Sequence, residues 1–305
     1  MKILVTGANG FLGYYLTGLL LQHGHDVIAT GRGECRLPFI NHPQFRYLPM
    51  DFTDPGAVKD IFENSLPEVV VHTGAISKPD DCEKDQWVAY QANVEGTITL
   101  LNEAETLESF FIFLSTDFIF DGTKGMYKED DTPNPVNFYG KTKLEAETAV
   151  KEYPYGWSIV RTVLVYGRPL SGRGNILSVV KEKLEKGEEY SVFNDQVRTP
   201  TYVTDLANAI ITIISQRATG VFHISGKDVL TPYEMACHTA NLLQFDPALI
   251  RKVTAEEFVQ PAKRPAKTGF NIEKARRILG YNPLAFEEGI RLTFGLPVED
   301  PRSKM

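Results

Sequence analysis

The stretch KILVTGANGFLG, residues 2–13, decides the fold. Residues 2–6 are a short aliphatic run of the kind a buried parallel strand carries, and Gly7, Gly10 and Gly13 follow at once. Leu12, Leu16, Leu19 and Leu20 then keep helical spacing as far as Gly24. The pattern is strand, glycine turn, helix. Each glycine answers a physical need: Gly7 permits the tight turn, Gly10 lets backbone N–H groups reach a pyrophosphate, and Gly13 lets the helix lie close to the strand. The anion then sits at the positive end of the helix. The spacing GxxGxxG is a variant of the dinucleotide fingerprint, and Asn9, Phe11 and Leu12 within it are candidate cofactor contacts.

Working outward, a second strand, DVIAT, ends near Thr30, where NAD-selective sites place an acid against the ribose 2′-hydroxyl. This chain has Gly31-Arg32 there, which leaves room for a 2′-phosphate and supplies a charge-assisted partner, so NADP(H) is favoured over NAD(H). Three further apolar runs, FRYLPM, EVVVHTGA and FFIFLST, alternate with expected helices, among them NVEGTITLLNEAE. Such alternation predicts an α/β fold with a doubly wound parallel sheet, whose ligands bind beyond the carboxyl ends of the strands. The residues just after each run are therefore site candidates: Asp51 and Phe52, Gly74, Ala75 and Ser77, and Thr116. Asp51 either accepts from the adenine amino group or caps the next helix. Asn93 either caps the helix after it or holds that helix open with a water.

FYGKTKLEAE, residues 138–147, sets Tyr139 and Lys143 four positions apart, on one face of a helix. By spacing alone this is equally two polar side chains on a wet surface. Downstream of a dinucleotide fingerprint, with Thr116 at the mouth of the sheet, it reads as chemistry. A carbonyl reductase needs a donor that protonates the forming alkoxide. A phenol is sluggish at neutral pH, but a neighbouring ammonium group favours the phenolate and lowers its pKa. Lys143 also hydrogen-bonds the nicotinamide ribose in this reading, and Thr116 orients the substrate oxygen.

These residues carry a resemblance. Gly7, Gly10, Gly13, Thr116, Tyr139 and Lys143 resemble the pattern of the extended short-chain dehydrogenases/reductases. Residues 115–147, STDFIFDGTKGMYKEDDTPNPVNFYGKTKLEAE, look like the dTDP-4-dehydrorhamnose reductase branch, and DQVRTPTYVTDLA and RPAKTGFNIEKARRILG resemble its later segments. The resemblance spans nearly the whole chain. It implies NAD(P)H-dependent reduction of a 4-keto group on a nucleotide-activated deoxysugar, with Ser77, Thr116 and Asp117 near the substrate. Two departures fall on the substrate side: Leu164 stands where the branch has an aromatic residue, and Arg198 where it has glycine. The same scaffold also carries epimerases and dehydratases that retain NAD, and a regulatory subunit of methionine adenosyltransferase. Gly31-Arg32, and Asp117-Phe118 in place of an acidic pair, weigh against the epimerase and dehydratase readings.

Beyond Tyr166 the pattern loosens into GRPLSGRGN, then the helices ILSVVKEKLEKG and DLANAIITIISQ and a strand VFHIS. Residues 1–166 with 201–226 are expected to form the dinucleotide-binding domain, and 167–200 with 227–305 a smaller lobe over the substrate. Arg198 and Arg264 are the lobe's candidate diphosphate ligands, Arg173 and Asn175 weaker ones, each with surface pairing as the alternative. Asp205 is expected to cap its helix and His223 to be a core residue. A formal charge of −7 without a basic run argues against a nucleic-acid partner. Three scattered cysteines and six histidines show no metal spacing, so no metal is expected and a reduced, cytoplasmic setting fits. No run approaches a membrane span. A homodimer is compatible with the sequence, which does not set the oligomeric state.

Overall fold

The computed structural model describes residues 1–171, 174–258 and 260–297. Its strands are β1 (Lys2–Thr6), β2 (Asp26–Gly31), β3 (Phe45–Pro49), β4 (Val69–His72), β5 (Phe110–Thr116), β6 (Trp157–Thr162), β7 (Val165–Tyr166), β8 (Tyr190–Phe193), β9 (Thr201–Tyr202), β10 (Gly220–Ile224) and β11 (Ile250–Val253). The helices are α1 (Phe11–Gln22), α2 (Pro55–Ser65), α3 (Pro79–Lys84), α4 (Gln86–Tyr90), α5 (Gly96–Thr106), α6 (Phe138–Glu152), α7 (Ile176–Glu185), α8 (Val203–Gln216), α9 (Pro232–Leu242), α10 (Glu273–Leu279) and α11 (Phe286–Phe294).

Seven strands form one sheet in the order β10-β6-β5-β4-β1-β2-β3, every neighbour pair parallel. Helices cover both faces, which is why β1 and β4 are aliphatic without alternation. On one face α1 and α8 bury Leu16, Leu20, Ile210 and Ile213; on the other α2, α5 and α6 bury Phe62, Leu100, Leu101 and Val150. The chain runs outward from β1 to β3, then crosses back to place β4 on the other side of β1. The chain order reverses between β1 and β4, and the crevice beyond their carboxyl ends is where ligands bind in such sheets.

After β6 the chain leaves this sheet, pairs β7 with β9 in a separate two-stranded ribbon, and rejoins the sheet at β10. In between and afterwards, β8 pairs with β11, and α7 and α9 pack with them around Val180, Leu184, Val192, Ala236 and Ala240. A Thr231–Glu234 capping box starts α9. His223 is a core residue as expected, stacked on Phe270 at 3.8 Å with Nδ1 3.0 Å from the Tyr127 carbonyl.

Two local expectations change. The segment expected to begin a helix at Asn93 is a π-helical turn, Gln91–Glu95, joining α4 to α5. Asp205 is not the cap of α8, whose N-cap is Tyr202. Its Oδ2 instead accepts the Leu284 N–H at 2.9 Å and ties the segment before α11 to α8. No helix among the described residues is long and apolar enough to cross a membrane.

Candidate active site

A cleft of 1510 Å³ opens at the carboxyl ends of β1, β2, β4 and β5 and runs under the β8–α9 lobe. Gly7 sits at φ +67°, and a Cβ there would lie 2.8 Å from the Gly74 nitrogen, so only glycine lets the β1 and β4 loops meet. The N-cap of α1 is Gly10, with no side chain capping the helix. The positive end of α1 therefore faces the cleft beside Phe11, Leu12 and Gly13.

Asn9 lines the cleft but shapes the neighbouring loop: Nδ2 donates to the Glu34 carbonyl at 2.9 Å and to Tyr47 Oη at 2.8 Å, while Oδ1 accepts the Arg36 N–H at 2.9 Å. That loop brings Arg32, Glu34 and Arg36 to the cleft wall. Arg36 belongs to no sequence motif, although a second arginine four residues after Arg32 is a readable signal.

Asp51 does not cap a helix; Asp54 caps α2 by accepting from the Gly56 and Ala57 N–H groups. Asp51 accepts from the Thr53 N–H and hydroxyl, and it lines the cleft with Phe52, Gly74, Ala75 and Ser77. Asn93 is 1% exposed and lies behind the cleft wall. Its Oδ1 accepts the Ile76 N–H at 2.8 Å, and Nδ2 donates to the Ile76 carbonyl at 3.0 Å and Thr142 Oγ1 at 3.0 Å. It is thus not a helix cap: it clamps the β4 loop to α6.

The structure brings Thr116, Tyr139 and Lys143 to the same cleft. Thr116 ends β5, where its Oγ1 accepts the Phe118 N–H at 3.2 Å and donates to Asp117 Oδ1 at 3.1 Å. Tyr139 lies in the first turn of α6, which Asn137 caps by accepting the Gly140 N–H at 2.8 Å. The Tyr139 ring meets Phe118 edge-on at 6.0 Å. Gly140 makes that approach possible, since a Cβ there would fall 2.1 Å from the Phe118 carbonyl oxygen. One turn on, Lys143 is 3% exposed, its Nζ 3.9 Å from the centre of the Phe113 ring. Burial pulls its pKa down to about 7, against the opposing pull of Glu147.

On the lobe side Asn175, Arg198 and Arg264 line the cleft, and each also holds protein partners. Arg198 is 3% exposed. Its Nη1 donates to the carbonyls of Val197 at 2.8 Å and Ala266 at 3.0 Å, and Nη2 to Gln196 Oε1 at 3.1 Å and the Pro265 carbonyl at 2.8 Å. Its Nε lies 3.8 Å from Asp117 Oδ2. Arg264 forks onto Asp80, Nη1 to Oδ1 at 2.5 Å and Nη2 to Oδ2 at 2.8 Å, tying the 262–268 segment to α3. Asn175 caps α7 through the Leu177 N–H and donates to the Gly167 carbonyl at 2.7 Å. Asp117 is buried among Thr116, Thr268 and Arg198. Arg173 lies outside the described residues. Leu164, at φ +35°, lines the cleft with Phe193, Gln196, Pro232 and Gln260, none of which except Leu164 carried a sequence signal. Among the described residues no His, Cys, Asp and Glu cluster could hold a metal.

The family model for the RmlD substrate binding domain matches residues 1–295. Methionine adenosyltransferase 2 subunit beta of Xenopus tropicalis is 31% identical over 296 residues, 95% of this chain and 86% of that protein. The crystal structure of a dTDP-4-dehydrorhamnose reductase from Clostridium acetobutylicum superposes with a TM-score of 0.85 at 30% identity, covering 97% of this chain and 99% of that one. A dTDP-4-dehydrorhamnose reductase from Bacillus anthracis, solved in complex with NADP, gives 0.84 at 27% identity over 96% and 98%.

Proposed function

From the chain's membership of the RmlD substrate binding domain family, we propose that it is an NAD(P)H-dependent reductase of a nucleotide-activated 4-keto-6-deoxysugar, of the dTDP-4-dehydrorhamnose reductase kind. The observation that carries this reading is Thr116, Tyr139 and Lys143 lining one cleft with the uncapped N-terminus of α1. The residues fit a nicotinamide dinucleotide: a glycine turn that a Cβ would fill, an open helix terminus for the pyrophosphate, and a cationic wall at Arg32 and Arg36 for a 2′-phosphate. Bound there, the reduced nicotinamide supplies hydride to the carbonyl carbon. Tyr139 gives its phenol proton to the carbonyl oxygen as the C=O π bond opens. Lys143 lowers the cost of the resulting phenolate. Burial alone draws Lys143 towards neutrality, and an anionic dinucleotide in the cleft restores its charge. NADP(H) is preferred because no acid directly follows β2. In this reading residues 1–166 with 201–226 hold the cofactor, and 167–200 with 227–305 cover the sugar nucleotide.

A second reading, a dinucleotide-binding subunit without turnover, draws on the commitment of Arg198 and Arg264 to protein partners and on the likeness to a methionine adenosyltransferase subunit. One experiment separates the two. Purified protein is given NADPH and a dTDP-4-keto-6-deoxysugar, and loss of NADPH absorbance is followed. Reduction is expected, and Tyr139→Phe should slow it about 10²–10⁴-fold with NADPH affinity unchanged. Tight NADPH binding without consumption supports the subunit reading; turnover retained by Tyr139→Phe refutes the phenol as donor.

A further inference from the structure

Thr116 has a single proton to give, and the structure commits it to the neighbouring carboxylate of Asp117, which also lines the cleft. Its Oγ1 accepts the Phe118 N–H at 3.2 Å and donates to Asp117 Oδ1 at 3.1 Å. While Asp117 is ionised, the hydroxyl can show the cleft only a lone pair. A ketone oxygen also offers only lone pairs, so the two would repel. An alcohol, which carries its own proton, would be accepted.

The reverse arrangement needs the carboxyl to carry a proton. Asp117 O–H then donates to Thr116 Oγ1, and the threonine proton is released towards a carbonyl oxygen while the Phe118 N–H bond stays in place. We propose that Asp117 is a positioning residue that sets the direction of the Thr116 hydroxyl: protonated, it aims the hydroxyl as a donor at a carbonyl; ionised, it makes the hydroxyl an acceptor for a carbinol. This rests on the reductase reading above. Asp117 itself touches no substrate in this role, and no proton is consumed beyond the one Tyr139 transfers.

The surroundings of Asp117 suit a group that changes state. It is 3% exposed at the junction of three segments. From β5 it meets Thr116. From the 262–268 segment it meets the Thr268 hydroxyl, in a short contact with Oδ2. From the loop before β9 it meets Arg198, whose Nε is 3.8 Å from Oδ2 and whose other nitrogens donate to Gln196 and three carbonyls. Arg198 is the charged group that faces it, and Arg264 and Asp195 act on Arg198 in turn. Burial raises the Asp117 pKa, and Arg198 and the two threonine hydroxyls oppose that rise.

The test is the pH profile of kcat for NADPH-dependent reduction, wild type against Asp117→Asn. Arg198 can only donate, so the amide oxygen of the asparagine faces Arg198 and its NH₂ faces Thr116, a lasting copy of the protonated state. Wild-type kcat should fall about tenfold per pH unit above the midpoint of Asp117, and Asp117→Asn should be flat over that window. A merely structural role would change KM or thermal stability and leave the alkaline fall in place. Should Asp117→Asn not fold, Thr268→Val serves: losing a donor to the carboxylate should move the midpoint to higher pH. A wild type that reduces substrate with no alkaline fall, or variants that keep the wild-type profile, overturn the inference and leave the reductase reading intact. A wild type without turnover at any pH overturns both.

Discussion

Gly140→Ala adds one methyl group at the contact that holds the two halves of the candidate active site together. The new Cβ would lie 2.1 Å from the Phe118 carbonyl oxygen and 2.9 Å from Pro135 Cβ. Carbon–oxygen contacts settle near 3.3 Å, so the first turn of α6 must retreat from the Thr116–Phe118 turn by about 1 Å. The obstacle is backbone, which cannot swing aside as a flexible side chain would. Overpacking of this kind costs about 1–3 kcal/mol, and alanine returns about 0.5–1 kcal/mol through its helix preference. The net loss is about 0–2.5 kcal/mol, a fall in Tm of up to a few degrees for a protein of this size. The effect on catalysis is larger, because Tyr139 rides on that turn while Thr116 stays with β5, and a misplacement of about 1 Å costs roughly 10²-fold in rate. Thermal unfolding and NADPH-linked turnover measure the two effects separately. NADPH affinity is the control, since Gly140 does not line the cleft. A variant with wild-type Tm and wild-type turnover would refute the claim that this glycine sets the spacing of the site.

Two further outcomes follow from charge. Lys143 has a folded-state pKa of about 7, set mainly by burial and below its unfolded value, so between those two values the unfolded chain binds more protons and stability rises with pH. Lys143→Met should therefore stabilise the ligand-free protein most below pH 7, with the gain fading as pH approaches the ordinary lysine value; Tm measured against pH for both proteins checks this, and a pH-independent difference contradicts it. Replacing Arg32 and Arg36 together by alanine removes the cationic wall after β2, and should weaken NADPH binding about 10–100-fold while leaving NADH nearly unchanged. Calorimetric titration of both cofactors decides it, and equal weakening of both would show that neither arginine reads the 2′-phosphate.

Much of the fold was legible because its signals are local. The glycine turn at residues 7–13 requires positive φ and close backbone approach, and the β5 run at residues 110–116 coincides with the observed strand. The pairing of Tyr139 with Lys143 needed only the helical repeat. Elsewhere the local signal pointed to the wrong residue. Asp51 and Asp54 both precede α2, and only the second has its oxygen within reach of the first-turn N–H groups. Asp205 is the third residue of α8, and its carboxylate accepts the Leu284 N–H instead of capping its own first turn.

The order of residues alone dictates the frame: an alternation of strand and helix whose apolar periods permit only buried parallel strands, a glycine-lined helix terminus for an anion, and a phenol and an amine one turn apart. Tertiary structure alone decided what the polar side chains do with that frame. Arg264 reaches Asp80 across 184 residues of chain, Thr268 reaches Asp117 across 151, and Arg198 finds the Pro265 carbonyl across 67. A guanidinium or carboxylate takes its role from whichever donors and acceptors lie within about 3 Å of it, and for groups buried at the meeting of several segments those partners exist only once the segments have come together.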